Sequence, residues 1–297
     1  MGIELLHRSA FERALDLPPD TLDKRTCHLL EKAQLRFETI DAAGQASLEA
    51  ETAKRIENGF KAVGEERAPV WRDAWQRQLE RLEKANYALE ALNPDFVDGS
   101  GILRWQGGYI HGLTDQFELR FIEVLRDWLF HRFLGDVGHL YEFGSGSAFN
   151  VAAYARLFPS VPITALDWAP AAVRIADVLH ERLGMNIKGR CFDFFAPDCS
   201  LKLPSDSGVL TMCALEQVGD RFQPLLDYFL GSRPKRVVHV EPILELYDPQ
   251  SSHDRLAIKY HVQRNYLKGL LPALRQLEAD GKIRMVFAKR LGFGSRF

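Results

Sequence analysis

The sequence predicts an α/β protein with a doubly wound, mostly parallel sheet and a helical region ahead of it. Beyond about residue 135, short apolar segments alternate with helical segments, whereas residues 1 to about 92 carry helical patterns almost throughout. Strands separated by helices imply parallel pairing and right-handed crossovers. The helical pattern breaks at Asn93-Pro94, and a glycine-rich loop follows at 98–112. We therefore assign 1–112 to a helical lid or accessory region and 113–297 to the α/β domain.

The N-terminal region ends in a long amphipathic helix. Over 71–92 the apolar residues Trp71, Trp75, Leu79 and Leu82 fall at helical spacing among charged residues, and strand-like alternation is absent. Such a helix buries its apolar face and leaves the charged face in water.

Five strands are predicted in the second part, each followed by a helical or loop segment. A helix that reaches about residue 134 precedes them, and Gly184 is suited to the left-handed cap of the helix after the second strand. The predicted strands are 139–143, 162–167, 186–193, 207–215 and 235–241. In a sheet of this kind a ligand lies at the carboxyl ends of the strands.

Composition excludes several function classes. A formal net charge of -2 gives no general attraction to nucleic acid or to an anionic membrane. The N-terminus lacks the pattern of a signal peptide, and no apolar run approaches the roughly 20 residues of a membrane span, so we expect a cytoplasmic protein. No metal site is expected either, because neither a CxxC pair nor metal-ligand spacing occurs around Cys27, Cys191, Cys199 and Cys213.

The stretch YEFGSGSAFN, 141–150, joins the first strand to its helix and sets an acid beside two glycines. Glu142 is followed by Gly144 and Gly146, and Ala148 stands where a third glycine is common. Glycines let the backbone approach a ligand closely, and the start of a helix offers unpaired N–H groups. Asp167 ends the second strand, where a carboxylate accepts hydrogen bonds from ribose hydroxyls. Dinucleotide enzymes share these features, which alone leave the ligand open.

An acid at the end of the third strand separates the possible ligands. Asp193, within Cys191-Phe192-Asp193-Phe194, is placed to accept a hydrogen bond from the exocyclic amine of an adenine. Over about 135–245 the chain resembles the class I S-adenosylmethionine (SAM)-dependent methyltransferases, which have a Rossmann-like fold. The pattern that carries this resemblance is the order of Glu142, Gly144, Gly146, Asp167 and Asp193 at successive strand ends.

The resemblance implies SAM as the cofactor and a set of contacts to it. It implies that Gly144 and Gly146 lie along the methionine portion and that Glu142 faces the ammonium directly or through water. The implied cofactor-binding residues are Glu142, Gly144, Gly146 and Asn150, then Asp167 on the ribose, Trp168 beside the adenine, and Asp193 with Phe194 at the adenine edge. Structural roles remain open as alternatives: a helix cap for Glu142, a core position for Trp168 and a turn for Asp193. The chain departs from the family near its end, where the last sheet strand is short or absent in 282–293.

The substrate side is predicted from the ends of the fourth and fifth strands. Glu216 and Glu241 follow these strands, and two carboxylates beside a sulfonium can hold a cationic amine or accept its proton. Tyr109, on the glycine-rich loop before the α/β domain, is a third candidate because aromatic rings on a closing loop exclude water and favour a cation. Tyr260 and Tyr266 are candidates for further substrate walls.

These observations favour a methyltransferase that acts on a small molecule at an amine or a hydroxyl, without nucleic-acid or membrane partners. A second reading stays open, because attack at the methionine Cγ would release methylthioadenosine. That reaction is either aminocarboxypropyl transfer or ring closure to azetidine-2-carboxylate. A third reading is a non-catalytic protein that keeps the cofactor fold.

Overall fold

The computed structural model describes residues 2–64, 67–94 and 101–297. In chain order the helices are α1 (Arg8–Ala14), α2 (Lys24–Ala33), α3 (Ala42–Glu57), α4 (Ala68–Lys84), α5 (Phe117–Leu129), α6 (Phe149–Leu157), α7 (Pro170–Leu183), α8 (Gln223–Ser232), α9 (Ser252–Arg264) and α10 (Leu270–Ala279). The strands are β1 (Ile3–Leu5), β2 (Arg36–Thr39), β3 (Ile102–Trp105), β4 (Gly108–Gly112), β5 (His139–Phe143), β6 (Ile163–Asp167), β7 (Ile187–Cys191), β8 (Ser207–Met212), β9 (Arg236–Val240) and β10 (Phe293–Ser295).

The larger sheet has the order β7-β6-β5-β8-β9, and the four pairings between its neighbouring strands are parallel. The α/β prediction is therefore confirmed, and each of the five predicted strands overlaps an observed one. The chain runs outward from β5 through β6 to β7, and then returns to the other side of β5 with β8. Such a reversal opens a crevice at the carboxyl ends of the strands, where α/β proteins bind ligands.

Burial on both faces explains why the central strands were recognisable in the sequence. β6 is buried along its whole length and β5 at four of its five positions. Helices on either side of a parallel sheet produce this pattern, and it selects nearly continuous apolar runs. Leu140, Phe143 and Leu166 are fully buried in this core.

The N-terminal region is not purely helical, which corrects the prediction for 1–112. Four of its segments are strands of a second, antiparallel sheet with the order β1-β2-β4-β3-β10. The segment expected to be a glycine-rich loop contains the β3–β4 hairpin, whose turn has Gln106 at φ 44° and Gly107 at φ 90°. Two consecutive positive φ values are typical of a tight hairpin turn. The first part of that predicted loop, 98–100, lies outside the described residues.

The last strand, β10, completes the small sheet and not the large one. Phe293 is opposite Trp105 in the pairing of β10 with β3, so residues on either side of position 112 share one sheet. Between α10 and β10, residues 283–291 have neither helical nor strand structure. Within the described residues the large sheet ends at β9, which agrees with the prediction that its last strand is short or absent.

The amphipathic helix predicted at 71–92 is present, although it ends earlier. α4 stops at Lys84, because Asn86 and Tyr87 have φ values of 51° and 62° that a continuing helix does not allow. Leu79 and Leu82 are on its buried face. Among the described residues, none of the helices combines the length and apolar character needed to cross a membrane.

Candidate active site

A cavity of about 2350 Å³ opens at the carboxyl ends of the large sheet. Its volume exceeds the roughly 300–1,000 Å³ of a typical small-molecule pocket, so it has space for more than one ligand. Nearly all of the residues predicted from the sequence contribute to its wall: Gly144, Gly146, Asn150, Asp167, Trp168, Asp193, Phe194, Glu216 and Glu241. The topology therefore brings together side chains that span almost 100 positions of the sequence.

The glycine turn after β5 has a conformation that requires small residues. Gly144 has φ 79° and Gly146 has φ 49°, in the left-handed region that side chains disfavour. A Cβ atom on Gly144 would lie 2.4 Å from the Cβ of Ala214, which is closer than any normal contact. Ala148 also has a positive φ of 60°, which costs about 1 kcal/mol for a residue with a side chain and accounts for glycine being common at this place.

Glu142 lies behind the turn and is 1% exposed. Its Oε1 accepts a hydrogen bond of 2.8 Å from Asn150 Nδ2, whereas Oε2 has no partner among the described residues. Burial raises the pKa of Glu142 to about 8, and the Asn150 hydrogen bond and the Arg126 charge oppose that shift. The backbone N–H of Val151 also lowers this pKa, so the helix-cap role has support beside the ligand role. Glu142 is separated from the cavity wall, and Asn150 is the residue between them.

Asp167 connects the end of β6 to the glycine turn. Its Oδ2 accepts a hydrogen bond of 2.9 Å from the N–H of Gly146, and its Oδ1 accepts one of 2.9 Å from the N–H of Ala169. Burial raises the pKa of Asp167 to about 6, although these backbone N–H groups lower it. Each carboxylate oxygen has two lone pairs, so each can accept a further hydrogen bond from a ligand hydroxyl.

The residues predicted at the adenine have different local roles. Trp168 is 37% exposed, so it is not an ordinary core residue. Asp193 Oδ1 accepts a hydrogen bond of 2.8 Å from the N–H of Phe195, which agrees with the turn alternative for Asp193. The tip of the Phe194 ring lies 3.3 Å from the position that a Cβ on Gly144 would take. An apolar ring thus stands next to the glycine turn.

Helix α4 lies across these strand ends and contacts three of the loops. Trp71 Nε1 donates a hydrogen bond of 3.2 Å to Gln217 Oε1 in the loop after β8. The guanidinium carbon of Arg72 is 5.7 Å from the ring centre of Trp168. Trp75 is so close to the glycine turn that a Cβ on Gly146 would lie 2.7 Å from its ring. The N-terminal region therefore forms part of the site, whereas its opening and closing as a lid stays a prediction.

Glu241 fixes the loop that carries Glu216. Its carboxylate accepts hydrogen bonds from the backbone N–H groups of Ala214, at 3.2 Å, and Glu216, at 3.3 Å. Burial raises the pKa of Glu241 to about 7. Glu241 thus holds the end of β8, and its charge contributes to the raised pKa of Glu216.

Glu216 lies near two tyrosines of the cavity wall. Its Oε1 accepts a hydrogen bond of 2.7 Å from Gln217 Nε2, and burial together with the charge of Glu241 raises its pKa to about 8. Tyr260 and Tyr266 line the same cavity with ring centres 5.8 Å apart. Burial and the charge of Glu216 raise the pKa of Tyr266. A carboxylate beside aromatic rings is an arrangement that holds a cationic group.

Tyr109 does not belong to this cavity, which corrects its placement on a mobile loop. It lies in β4, is 1% exposed, and its hydroxyl is 3.4 Å from Thr52 Oγ1. Its ring centre is 4.6 Å from that of His253. The hairpin register turns Tyr109 inward, so its side chain packs behind the cavity wall.

A charged group that the sequence did not reveal also contributes to the cavity wall. It consists of Arg104 on β3, Asp254 on α9 and Arg290 in the segment before β10. Arg104 and Asp254 are 150 positions apart in the sequence, so no local sequence pattern indicates their contact. Among the described residues, no group of three or more His, Cys, Asp and Glu side chains is arranged to hold a metal ion.

No protein-family model and no curated protein matches the sequence. Among solved structures, N,N-8-amino-8-demethyl-D-riboflavin dimethyltransferase (RosA) from Streptomyces davawensis is 16% identical with a TM-score of 0.44, over 61% of this chain and 55% of that one. The plantazolicin methyltransferase BpumL, in complex with a pentazolic desmethylPZN analog and SAH, is 14% identical with a TM-score of 0.38, over 54% and 62%. The [4+2]-cyclase SpnF is 22% identical with a TM-score of 0.34, over 41% and 45%.

Structures of methyltransferases bound to SAM or S-adenosylhomocysteine are thus among the structural neighbours. The matched region spans less than two thirds of the length of each of the three structures described above. Similarities of this size establish no activity for this chain.

The contact between α4 and the glycine turn predicts an energetic coupling. Gly146→Ala should lower the free energy of unfolding by about 1–2 kcal/mol, because of its positive φ and its contact with Trp75. In a Trp75→Ala background this loss should shrink by at least 0.5 kcal/mol, about the smallest coupling expected for residues in contact. Urea unfolding of the double-mutant cycle measures it. Gly144→Ala is the matched control, since its Cβ would meet Ala214, and it should be additive with Trp75→Ala. Full additivity in both cycles would contradict the contact.

The raised pKa of Glu216 predicts a stability change with pH that needs no substrate. The folded protein binds this proton more tightly than the unfolded chain, so the stabilisation is complete below the ordinary pKa of 4.5 and is lost as the pH rises through about 8. Between pH 5 and pH 8.5 the wild type should therefore lose more stability than Glu216→Gln. Urea unfolding at both pH values tests this, with the exposed Glu80→Gln as a control that follows the wild type. Equal losses in wild type and Glu216→Gln would show that Glu216 titrates normally.

Proposed function

We propose that this protein is a SAM-dependent methyltransferase that acts on a small molecule at an amine or a hydroxyl. The observation that supports this most is the convergence on one cavity of the glycine turn, Asp167 and Glu216, from the ends of β5, β6 and β8. Seven of the eight residues implied for the cofactor line this cavity, and Glu142 lies directly behind it.

The residues present suit SAM in shape and in chemistry. The glycine turn leaves backbone exposed where a Cβ would fill the space, as a ligand lying against the main chain requires. Asp167 retains acceptor capacity on both oxygens for the two hydroxyls of a ribose. The unpartnered Oε2 of Glu142 is a buried acceptor without a donor, and because Glu142 lies behind the cavity wall, the ammonium of the methionine portion would reach it through a water molecule.

Each of these residues has a defined task toward the cofactor. Gly144 and Gly146 support the methionine portion. Asn150, which donates a hydrogen bond to Glu142, lies between that carboxyl and the methionine portion. Trp168 and Phe194 offer apolar surface to the adenine, and the second oxygen of Asp193 is the acceptor for its amine. Of these assignments, that of Asp193 has the strongest competing explanation, since Oδ1 already closes a turn.

The chemistry requires little more than positioning. SAM supplies a methyl group that is activated by the positive sulfonium. The tyrosines and Trp71 exclude water from the space beside Glu216 and restrict the orientation of the nucleophile there. A cationic amine lowers the pKa of Glu216 from its raised value, and the resulting carboxylate accepts the proton that the amine loses. Glu241 keeps the loop in place and disfavours a second negative charge until the cation arrives.

Of the two reactions by attack at the methionine Cγ, ring closure to azetidine-2-carboxylate is the less favoured, whereas aminocarboxypropyl transfer stays open. Intramolecular ring closure is best served by a pocket without space for a second molecule, whereas this cavity measures about 2350 Å³. The two kinds of attack leave different products, since methyl transfer gives S-adenosylhomocysteine and attack at Cγ gives methylthioadenosine. Mass spectrometry after incubation with SAM and a metabolite extract separates them, and formation of neither product would favour a non-catalytic protein.

The first functional test concerns Asp167. Asp167→Ala should weaken SAM binding by about 10- to 100-fold, because charge-assisted hydrogen bonds of roughly 1.5–3 kcal/mol are lost. Isothermal calorimetry measures the affinity, and thermal melting confirms that the variant is folded. Asp227→Ala, an exposed carboxylate on α8, is the matched control, and NAD is the control ligand that should not bind. Unchanged affinity in a folded Asp167→Ala protein would overturn the cofactor assignment.

The second functional test concerns Glu216 as the proton acceptor. Glu216→Gln should reduce methyl incorporation from labelled SAM into a metabolite extract by about 100-fold or more, and leave SAM affinity within a factor of a few. At substrate concentrations below KM the wild-type rate should rise with pH toward about 8, as the carboxyl of the free enzyme loses its proton, and the residual rate of the variant should lack this rise. Equal loss of rate and SAM affinity would place Glu216 at the cofactor instead. No loss of rate would move the role to Glu241.

A further inference from the structure

Two guanidinium groups share one carboxylate in the wall of the cavity. Arg290 binds Asp254 with both of its terminal nitrogens, at 2.5 Å and 2.6 Å. Arg104 Nη2 reaches the same carboxylate at 3.2 Å and also donates to the main-chain oxygen of His253 at 3.1 Å. Asp254 accepts a further hydrogen bond of 2.9 Å from the N–H of Asp248. Arg290 and the backbone therefore supply the shorter hydrogen bonds to the carboxylate, and Arg104 supplies the longest one.

Unused donors remain beside this pair. Within the described residues, Arg104 Nη1 has no hydrogen-bond partner, and neither ring nitrogen of His253 has one. Arg104 is 7% exposed and His253 is 2% exposed, so water does not readily replace the missing partners. Burial and the neighbouring charge of Arg104 lower the pKa of His253 to about 4, which leaves its ring neutral with one N–H to donate.

The buried charge of Arg104 shares its counter-ion, Asp254, with Arg290. Such a charge is unfavourable unless a ligand supplies further negative charge. Burial lowers the pKa of Arg104, which is the sign that its surroundings do not fully compensate the charge. A guanidinium keeps its proton in proteins, so the imbalance is relieved by an anion and not by deprotonation. Arg104, His253, Asp254 and Arg290 all contribute to the wall of the cavity that contains Glu216.

We propose that Arg104, assisted by His253 and Arg290, binds an oxyanion, a carboxylate or a phosphate, on the substrate. The proposal rests on the proposed function only in naming this ligand the substrate, since the anion site itself follows from the unpartnered donors. A planar guanidinium edge is well suited to either oxyanion.

Tyr247 connects this anion site to Glu216. The guanidinium carbon of Arg290 is 5.1 Å from the ring centre of Tyr247, and the charges of both Arg104 and Glu216 act on its hydroxyl. A substrate that spans Tyr247 would have its anionic group at Arg104 and its nucleophile at Glu216. The cavity therefore selects a molecule with charges of opposite sign at its two ends, such as an amino acid or an amine that carries a phosphate.

The experiment uses simple aromatic anions as ligands for the full chain. Benzoate and phenyl phosphate are titrated by NMR, and benzyl alcohol is the neutral comparison. The wild type should bind at least one of the two anions, and Arg104→Gln should weaken that binding by at least tenfold. Asp254→Asn, which removes the competing carboxylate with little change in shape, should strengthen it. The larger effect of Arg104→Gln on benzoate or on phenyl phosphate identifies the oxyanion.

Two controls make the outcome decisive. Arg284→Gln removes an exposed arginine of the same cavity and should leave both affinities unchanged. SAM affinity by calorimetry should be the same in Arg104→Gln as in the wild type, so a failure of the cofactor assignment is separable from a failure of the anion site. Anion binding that is insensitive to Arg104→Gln and to Asp254→Asn, or benzyl alcohol binding as tightly as the anions, would overturn the proposal. If Arg104→Gln does not fold, the sign of the Asp254→Asn effect decides alone.

Discussion

The hydrogen bond from the Gly146 N–H to the Asp167 carboxylate is the constraint on which the site depends. It joins the carboxyl ends of β5 and β6, and it does so with a group that is buried and whose pKa is raised to about 6. Because the backbone donor cannot move without unfolding the turn, the carboxylate is held in one orientation. The same turn supports Trp75 of α4 from the other side. A change at this point would therefore disturb the sheet, the proposed ribose acceptor and the helix above it together.

The sequence was sufficient for the large sheet because its elements are defined by local patterns. Parallel strands buried on both faces are continuous apolar runs, and the observed bounds of β5 coincide with those predicted. The small sheet has no such signal. Its β3–β4 hairpin contains glycines that indicated a loop, and the pairing of Phe293 with Trp105 joins segments almost 190 positions apart. Such contacts depend on the tertiary fold and not on any periodicity in the chain.

The same distinction separates the site residues that were predicted from those that were not. Glu216 and Glu241 follow parallel strands, so topology alone places them at the cavity. Tyr109 was placed by its sequence neighbourhood, whereas its position depends on the hairpin register, which sets it opposite Arg104. The sequence pattern singled out the aromatic residue Tyr109. Its cross-strand neighbour Arg104 is the residue that contributes to the cavity wall. The Tyr109 ring then packs on His253 and supports the anion site from behind.

In the proposed site, the large sheet binds the cofactor and the small sheet contributes to the anion site, because the two sheets present different chemical groups. Strand ends of a parallel sheet offer backbone donors and short acids in fixed positions, which suits a cofactor whose shape does not vary. The proposed anion site joins β3, α9 and the segment before β10, and it is stabilised mainly by the ion pairs of Asp254. Its charges and that of Glu216 both act on Tyr247, so under the two proposals the polarity of the substrate would set its orientation in the cavity. If the anion proposal holds, a neutral substrate of the same size would leave Arg104 with only its share of Asp254 and with Nη1 unpaired, and the cost of that incompletely compensated buried charge would disfavour it.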